Sequence, residues 1–250
     1  MSNPVFFVPA GSLDEVEPSG LVTVDGAEAR HAVTVKRLAA GEGVDLVDEQ
    51  GTRVIGTVDS SDTGELVVLA LEIVREPAAS PRLILVQALA KGDRDEQAIE
   101  SATELGIDGV IPWQSDRSIV RWRGDRAAKA LAKWRSVIRA ATKQSRRART
   151  PEVEDVLDSA ALARRISRSG AAFVLHEDAR RSLASQLDAI RELDGEVLLI
   201  VGPEGGISPS EVAAFQEAGA HTALLGPHVL RSSSAGPAAL VVANTVLGRW

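Results

Sequence analysis

Several residue types that often carry chemistry are absent or scarce in this sequence of 250 residues. It contains no cysteine, which excludes disulfide bonds, thiolate metal sites and cysteine nucleophiles. Its four histidines are scattered along the chain, so we expect no bound metal. No apolar run reaches membrane-spanning length, and the opening MSNPVFFVPAGS lacks the basic stretch and long apolar run of a signal peptide. We therefore expect a cytoplasmic protein that does not insert into membranes.

Positive charge is scarce overall but concentrated in one segment. The chain has a formal net charge of −7, which argues against general nucleic-acid binding. Residues 117–149 nevertheless contain twelve lysines or arginines and a single acid, Asp125. Such a contrast is typical of a site for an anionic partner, but a basic run is equally typical of a solvated helix face. Charge alone leaves both interpretations open.

The pattern of apolar residues changes once along the chain and predicts a two-domain α/β protein. In residues 1–75, short β-rich runs separated by Gly, Asp and Ser predict a small β-barrel, interrupted by one helix near 26–38. Residues 76–82 contain Pro, Ala and Ser and predict a linker. In residues 83–250, continuous apolar strands alternate with helices, which predicts a parallel sheet covered on both faces.

The strand ends of this second domain are where we expect a ligand, because ligands of parallel sheets bind at the carboxyl ends of the strands. Three of these ends contain polar or glycine-rich stretches, at residues 175–177, 202–206 and 225–227. The helices of the domain are predicted near residues 94–105, 126–147, 182–192, 209–218 and 233–247.

One of these strand ends combines a glycine-rich turn with a carboxylate. Its sequence, Gly202-Pro203-Glu204-Gly205-Gly206, lacks the lysine of a phosphate-binding P-loop and the spacing of a dinucleotide fingerprint. Glu204 would repel a phosphate, so the turn predicts an uncharged or cationic ligand, or else a tight strand–helix connection with no ligand. Next to it, Ser208, Pro209 and Glu211 predict a helix N-terminus with a capping box.

A cation precedes the last predicted helix. Arg231 follows a strand and is followed by Ser232–Ser234, whose hydroxyls can cap the helix. The helix dipole disfavours a cation at this end, so Arg231 predicts a contact with a ligand or another chain, unless it is an ordinary surface arginine. Glu100 and Glu104 share a helix face by their spacing, which is compatible with acid–base chemistry or with a polar face.

Four stretches occur together and in order: KGDRDEQAIESATELGIDGVIP, SVIRAATKQSRR, VGPEGGIS and LLGPHVLRSSSA. Through them the chain resembles, over nearly its full length, the bacterial 16S ribosomal RNA uracil-N3 methyltransferases of the SPOUT superfamily. The resemblance implies an N-terminal PUA-like β-barrel that binds RNA and a C-terminal SPOUT α/β domain with a deep trefoil knot. It also implies S-adenosyl-L-methionine as methyl donor, a homodimer, and a target uridine near the decoding site of 16S rRNA in the small ribosomal subunit.

The resemblance also assigns residues. Those implied to form the cofactor pocket are Leu175, His176, Glu177, Val201, Gly202, Pro203, Gly205, Gly206, Leu225, Gly226 and Leu230. The resemblance makes His31 and Arg37 in the barrel candidates for handling RNA, and it places Gln144 and Arg146, in the family's Gln-Ser-x-Arg stretch, near the dimer and RNA face. The charge of the basic segment adds the expectation that Arg126, Lys129, Lys133 and Arg139 bind rRNA phosphates. As a catalytic hypothesis, Arg231 stabilises negative charge on the uracil, and Glu204 acts as a base or favours the cationic donor.

The sequence departs from the family at two positions. Where the family usually has Arg-Thr-Glu-Thr-Ala, this chain has Arg231 followed by three serines and Ala235, so that Ser233 replaces the glutamate. Ser101 stands where the family usually has a lysine. Two alternatives therefore stay open: another SPOUT reaction such as ribose 2′-O-methylation, and a non-enzymatic RNA-binding factor in ribosome assembly.

Overall fold

The structure is a computed structural model that describes residues 3–62 and 64–250. The chain divides into two compact units. The first consists of the residues up to Ala78 together with Thr142–Thr150, and the second of Ala79–Ala141 together with Pro151–Trp250. The stretch Thr142–Thr150, which the sequence analysis places inside the second domain, thus groups with the first unit. None of the helices in the described ranges is both long and apolar enough to cross a bilayer.

The first unit contains one five-stranded sheet. Its strands are β1 (Val5–Phe7), β2 (Leu21–Val24), β3 (Gly43–Val47), β4 (Thr52–Asp62) and β5 (Glu65–Arg75), paired in the order β1-β3-β4-β5-β2. β1 runs parallel to β3, and the other pairs are antiparallel. Helix α1 (Gly26–Arg30) continues into a π-helical turn, His31–Val35. Closure of this sheet into a PUA-like barrel stays a prediction.

The stretch Thr142–Thr150 completes the first unit with specific contacts. Ala148 is fully buried in a small apolar cluster with Val5, Phe7 and Val47. The ammonium of Lys143 lies 2.6 Å from the carboxylate of Glu28 and 4.9 Å from the ring centre of Phe6. These contacts combine apolar burial, an ion pair and a cation–π interaction, and all of them form between segments far apart in the sequence.

The second unit contains a parallel sheet of seven strands. They are β6 (Arg82–Ala88), β7 (Gly109–Gln114), β8 (Glu152–Val153), β9 (Leu157–Asp158), β10 (Ala171–Leu175), β11 (Glu196–Val201) and β12 (His221–Ala223). The order is β12-β10-β11-β6-β7-β8, with β9 also paired to β7, and every pair is parallel. The predicted parallel sheet is therefore confirmed, while the trefoil knot stays a prediction.

Both faces of this sheet are buried, as its continuous apolar strands predict. Leu83 and Leu85 of β6 belong to one apolar core, whereas Ile84 and Val86 belong to a second core on the other face. The helices of the chain after α1 are α2 (Arg94–Glu104), α3 (Asp125–Gln144), α4 (Ser159–Ile166), α5 (Leu183–Asp188), α6 (Pro209–Glu217) and α7 (Ser232–Val246). Five of these lie near predicted helices, but the sequence analysis missed α4 and overestimated the length of α5.

Candidate functional site

A cleft of about 840 Å³ opens beside the carboxyl ends of strands β10, β11 and β12, within the second unit. Its walls are the loop after β10, the glycine turn after β11, the loop after β12 and the first turn of α7. Strands β12, β10 and β11 are neighbours in the sheet, so three stretches distant in sequence converge at one edge. A volume of this size is typical of a site for a small organic ligand.

The cleft brings together all the residues that the resemblance implies for the cofactor pocket, and both predicted catalytic residues. The lining includes Leu175, His176, Glu177, Val201, Gly202, Pro203, Gly205, Gly206, Leu225, Gly226 and Leu230, with Glu204 and Arg231. It also contains residues that the sequence analysis did not assign, among them Arg94, Arg117, His228 and Ser232. Arg94 begins helix α2, which follows β6, and Arg117 lies in the loop that follows β7, so only the folded sheet reveals that both reach the same cleft.

The glycine turn needs its glycines because other parts of the unit approach its backbone closely. A Cβ on Gly202 would lie 2.6 Å from Cγ1 of Ile207, which is shorter than side-chain atoms tolerate. A Cβ on Gly205 would lie 3.3 Å from Cβ of Arg117, and Gly206 adopts a φ of +72° that favours glycine. The guanidinium of Arg117 donates a hydrogen bond to the carbonyl of Gly205 at 3.1 Å. The turn is thus held tightly against the loop that follows β7.

Glu204 has partners of its own within the protein. Its carboxylate accepts hydrogen bonds from the guanidinium of Arg94 at 2.9 Å and from the backbone amide of Lys91 at 3.4 Å. Partial burial alone would raise the pKa of Glu204, but its own backbone amide, Arg94 and the amide of Lys91 outweigh burial and lower that pKa below its ordinary value. The carboxylate is therefore ionised at neutral pH and is a weak base.

The N-terminus of α6, which follows the glycine turn, is fully capped. Ser208 Oγ accepts from the amide of Glu211 at 3.2 Å, and Glu211 accepts from the amide of Ser208 at 2.9 Å, so the predicted capping box is confirmed. The buried carboxylate of Glu211 also accepts from the amide of Asp116 at 2.8 Å and the hydroxyl of Ser159 at 2.5 Å. Burial raises the pKa of Glu211, but these donors outweigh burial and lower it overall.

The N-terminus of α7, on another wall of the cleft, has no such cap. Arg231 occupies the position before the first helical residue, and no side chain caps the helix. The expectation that Ser232–Ser234 cap α7 is therefore wrong: Ser232 is already the first residue of the helix and is buried. The same helix approaches β6 closely, because a Cβ on Gly236 would lie 2.9 Å from Cδ1 of Leu85. Among the described residues, the buried hydroxyl of Ser232 has no hydrogen-bond partner.

The residues predicted to contact RNA fall in both units. His31 and Arg37 lie in the first unit, where the His31 ring packs edge-on against Phe6 with centres 5.9 Å apart. Gln144 and Arg146 also belong to this unit and are exposed, as is Arg37. The remaining four, Arg126, Lys129, Lys133 and Arg139, lie on the exposed side of α3 in the second unit.

Lys133 is already paired within its own unit. Its ammonium lies 2.6 Å from the carboxylate of Glu96 and 3.6 Å from that of Asp93. The hydrogen bond to Glu96 raises the pKa of Lys133, which keeps the side chain charged. An RNA phosphate would therefore compete with two carboxylates for this lysine. In the described ranges, no group of three or more His, Asp or Glu side chains is arranged to hold a metal ion.

Comparison with known proteins gives consistent matches. The model of a family described as "RNA methyltransferase domain" matches residues 77–244. The chain is 41% identical over 243 residues to ribosomal RNA small subunit methyltransferase E of Mycobacterium tuberculosis, covering 95% of this chain and 92% of that protein. It is 28% identical to the protein of the same name from Bacillus subtilis, covering 88% of each.

A solved structure matches over the same length. The crystal structure of a ribosomal RNA small subunit methyltransferase E from Neisseria gonorrhoeae, bound to S-adenosyl methionine, superposes with a TM-score of 0.81. The two chains are 25% identical, and the match covers 98% of each. The likeness therefore extends across both units of the chain.

Proposed function

This chain belongs to the RNA methyltransferase family, and from that premise we propose that it transfers a methyl group from S-adenosylmethionine to N3 of a uridine in 16S ribosomal RNA. The proposed target lies near the decoding site of the small subunit, and the proposed enzyme is a cytoplasmic homodimer with a PUA-like barrel and a knotted SPOUT domain. Relatives over nearly the full length, named as ribosomal RNA small subunit methyltransferases, support the reaction class.

The observation that carries the proposal is the convergence of three strand ends in one cleft. The donor is a small molecule with apolar parts and a sulfonium cation, and it contains no phosphate. The cleft offers apolar side chains, Leu175, Leu225 and Leu230, beside a glycine turn that lacks the lysine of a phosphate site. Its size also suits such a molecule. The residues present therefore fit S-adenosylmethionine.

When bound, S-adenosylmethionine supplies an electrophilic methyl group: the new bond forms to N3, the sulfur keeps the electron pair of the broken bond, and the N3 proton passes to solvent. The contribution of Glu204 is its charge, because the ion pair with Arg94 keeps the carboxylate ionised and lowers its basicity. A fixed negative charge in the cleft favours a cationic ligand. We therefore assign Glu204 an electrostatic role, and not that of the base.

Arg231 is the residue we propose for stabilising the substrate. It lines the cleft and is exposed, with no acceptor from the described residues at its guanidinium. Uracil N3 is a weak acid, and removing its proton leaves negative charge on the two neighbouring carbonyl oxygens. A cation placed beside these oxygens stabilises this charge where it develops.

The cations outside the cleft are proposed to hold the RNA. N3 lies on the Watson–Crick edge, so the target base has to be unpaired or turned out of its helix before it can react. Phosphate contacts position a nucleic acid without reading its sequence. The exposed cations of α3, such as Arg126 and Lys129, together with His31, Arg37, Gln144 and Arg146 of the first unit, are proposed to supply such contacts.

The test is methyl transfer to small ribosomal subunits from a strain that lacks this protein, with the modified nucleoside identified by mass spectrometry. Arg231→Ala should lower the rate about 100-fold or more, as for loss of one electrostatic donor, and should still bind S-adenosylmethionine in calorimetry. Arg168→Ala, which removes an exposed arginine of the same unit outside the cleft, is the matched control and should be fully active.

Three outcomes would contradict the proposal. A normal rate for Arg231→Ala would remove its catalytic role. A ribose-methylated product in place of N3-methyluridine would assign the protein to another SPOUT reaction. Absence of S-adenosylmethionine binding by the wild-type protein would favour a non-enzymatic factor in ribosome assembly.

A further inference from the structure

The first turn of α7 presents hydrogen-bond donors that the described part of the chain leaves unused. The amides of Ser234 and Ala235 donate to the carbonyl of Arg231 at 2.9 and 3.0 Å. Those of Ser232 and Ser233 have no acceptor in the described residues, in keeping with the absence of a side-chain cap. The hydroxyl of Ser232 is a third donor without an acceptor in the described residues, and the residue as a whole is 7% exposed.

These unused groups lie together at the edge of the cleft. Ser232, Arg231 and Ala235 all line it, so the residues of this helix N-terminus border the same space as the guanidinium, while the hydroxyl oxygen of Ser232 is itself buried at its edge. A buried hydroxyl without a partner destabilises a protein by about 1–3 kcal/mol. The positive end of the 15-residue helix adds a further preference for negative charge. A neutral oxygen could also accept from these donors, but the arginine and the helix dipole favour an anionic one, to which the hydrogen bonds are stronger.

We propose that Ser232, through its hydroxyl, joins Arg231 and the free amides of α7 in binding the anionic oxygen of the uracil during methylation. This inference rests on the proposed function and adds a second catalytic residue to it. The charge left by loss of the N3 proton resides on the carbonyl oxygens beside N3. Donors directed at such an oxygen strengthen their hydrogen bonds as the charge develops, which accelerates the reaction.

Two other uses of the hydroxyl are possible on chemical grounds. The carboxylate of S-adenosylmethionine is also an anionic oxygen. Oε1 of the buried Gln87 also has no partner in the described ranges, and it lies 3.6 Å from the position of a Cβ on Gly236, one helical turn after Ser232. A structural link between Ser232 and Gln87, direct or through a water molecule, would satisfy both groups. The experiment has to separate these three uses.

The experiment compares Ser232→Ala with Ser234→Ala, which removes an exposed hydroxyl from the same helical turn. Methyl transfer to small subunits is followed in a single turnover with saturating S-adenosylmethionine across a range of pH. We expect Ser232→Ala to be about 10- to 100-fold slower, the usual effect of losing a hydrogen bond to a charged group. Its pH–rate curve should move to more alkaline pH by about one unit for each tenfold loss of rate, because N3 of the bound uracil becomes less acidic. Ser234→Ala should match the wild type.

Binding of S-adenosylmethionine, measured by calorimetry, and thermal unfolding decide between the uses. The proposal is supported if Ser232→Ala binds S-adenosylmethionine as tightly as the wild type, is equally stable, and shows the alkaline shift of the pH–rate curve. Weaker binding of S-adenosylmethionine with an unshifted pH–rate curve would show that the hydroxyl binds the carboxylate of S-adenosylmethionine. A loss of stability equal to that of Gln87→Leu, without the shift, would make the hydroxyl structural. If the wild type transfers methyl groups and Ser232→Ala does so at the same rate, this inference alone is overturned. If the wild type itself shows no methyl transfer, the proposed function is overturned as well.

Discussion

Among the helices that begin at the cleft, α6 and α7 have opposite N-termini. At α6, Ser208 and Glu211 cap each other, and Glu211 also accepts from Asp116 and Ser159. At α7, an arginine holds the capping position, no side chain caps the helix, and Ser232 keeps a buried hydroxyl without a partner among the described residues. Both helices belong to the same unit and follow a strand and a loop.

A helix N-terminus beside a cleft can either hold the preceding loop in place or bind a ligand, and α6 and α7 illustrate these two roles. Where the side chains at the helix start are paired with backbone amides, as in the capping box of α6, they fix the backbone of the preceding loop. Where donors and a cation stay unused, as at α7, the unsatisfied groups form a site for an anion. We infer that α6 holds the glycine turn in shape and that α7 takes part in the chemistry.

The largest effect on stability should come from the capped helix. Glu211→Ala removes a buried carboxylate and leaves the amides of Ser208 and Asp116 and the hydroxyl of Ser159 without their acceptor. We expect the free energy of unfolding in urea to fall by about 3 kcal/mol. Glu217→Ala, at the exposed end of the same helix, should change it by less than about 0.5 kcal/mol. Equal effects in the two variants would show that the buried network contributes no stability.

A pair of serine variants should give a smaller but more direct contrast. Ser208→Ala removes a cap and should lower the free energy of unfolding by about 1 kcal/mol. Ser232→Ala removes a hydroxyl that has no internal partner and should leave that free energy unchanged or slightly raise it. Urea unfolding of both variants in the absence of ligand provides the measurement. A loss in Ser232→Ala as large as that in Ser208→Ala would abolish the distinction between the two helices.

The smallest effect should be a dependence of folding stability on pH, which arises at the start of α6 and not at the start of α7. The folded-state pKa of Glu211 lies below its ordinary value of 4.5. Its ionised form therefore stabilises the folded protein fully above that pH, and this stabilisation is lost as the pH falls toward the folded-state pKa. The first turn of α7 contains no acid and should not contribute.

Unfolding of wild type and Glu211→Gln at about pH 7 and about pH 3.5 tests this linkage. The other carboxyl groups titrate in both proteins, so the difference between the two is informative. We expect the variant to be less stable than the wild type at the higher pH and the gap to narrow at the lower pH. A gap that stays constant would show that the ionisation of Glu211 is not linked to folding.

The two helix starts also differ in how far the sequence predicts them. The capping box of α6 depends on Ser208, Pro209 and Glu211, which are close together in the chain, and it could be predicted from their spacing. The start of α7 could not, because any of three consecutive serines is a suitable cap. The structure places Arg231 at the capping position and Ser232 inside the helix.

The same limit applies to the rest of the site. The parallel sheet and the strand ends that line the cleft follow from local patterns, and the resemblance supplied the residues. The ion pair between Arg94 and Glu204 joins positions 110 residues apart, and no local pattern indicates it. Helix α4 was missed because it has only eight residues and follows two strands of two residues each, so its hydrophobic periodicity extends over little more than two turns.

The make-up of the first unit has a consequence for the synthesis of the protein. A ribosome releases the chain from its N-terminus at about 5–20 residues per second, so strands β1 to β5 emerge well before the stretch Thr142–Thr150. Until that stretch arrives, the apolar cluster of Val5, Phe7 and Val47 lacks Ala148, and Glu28 lacks Lys143. The first unit to be translated is therefore completed only after the chain has been made as far as Thr150, and a fragment that ends at Ala78 would leave this apolar cluster open.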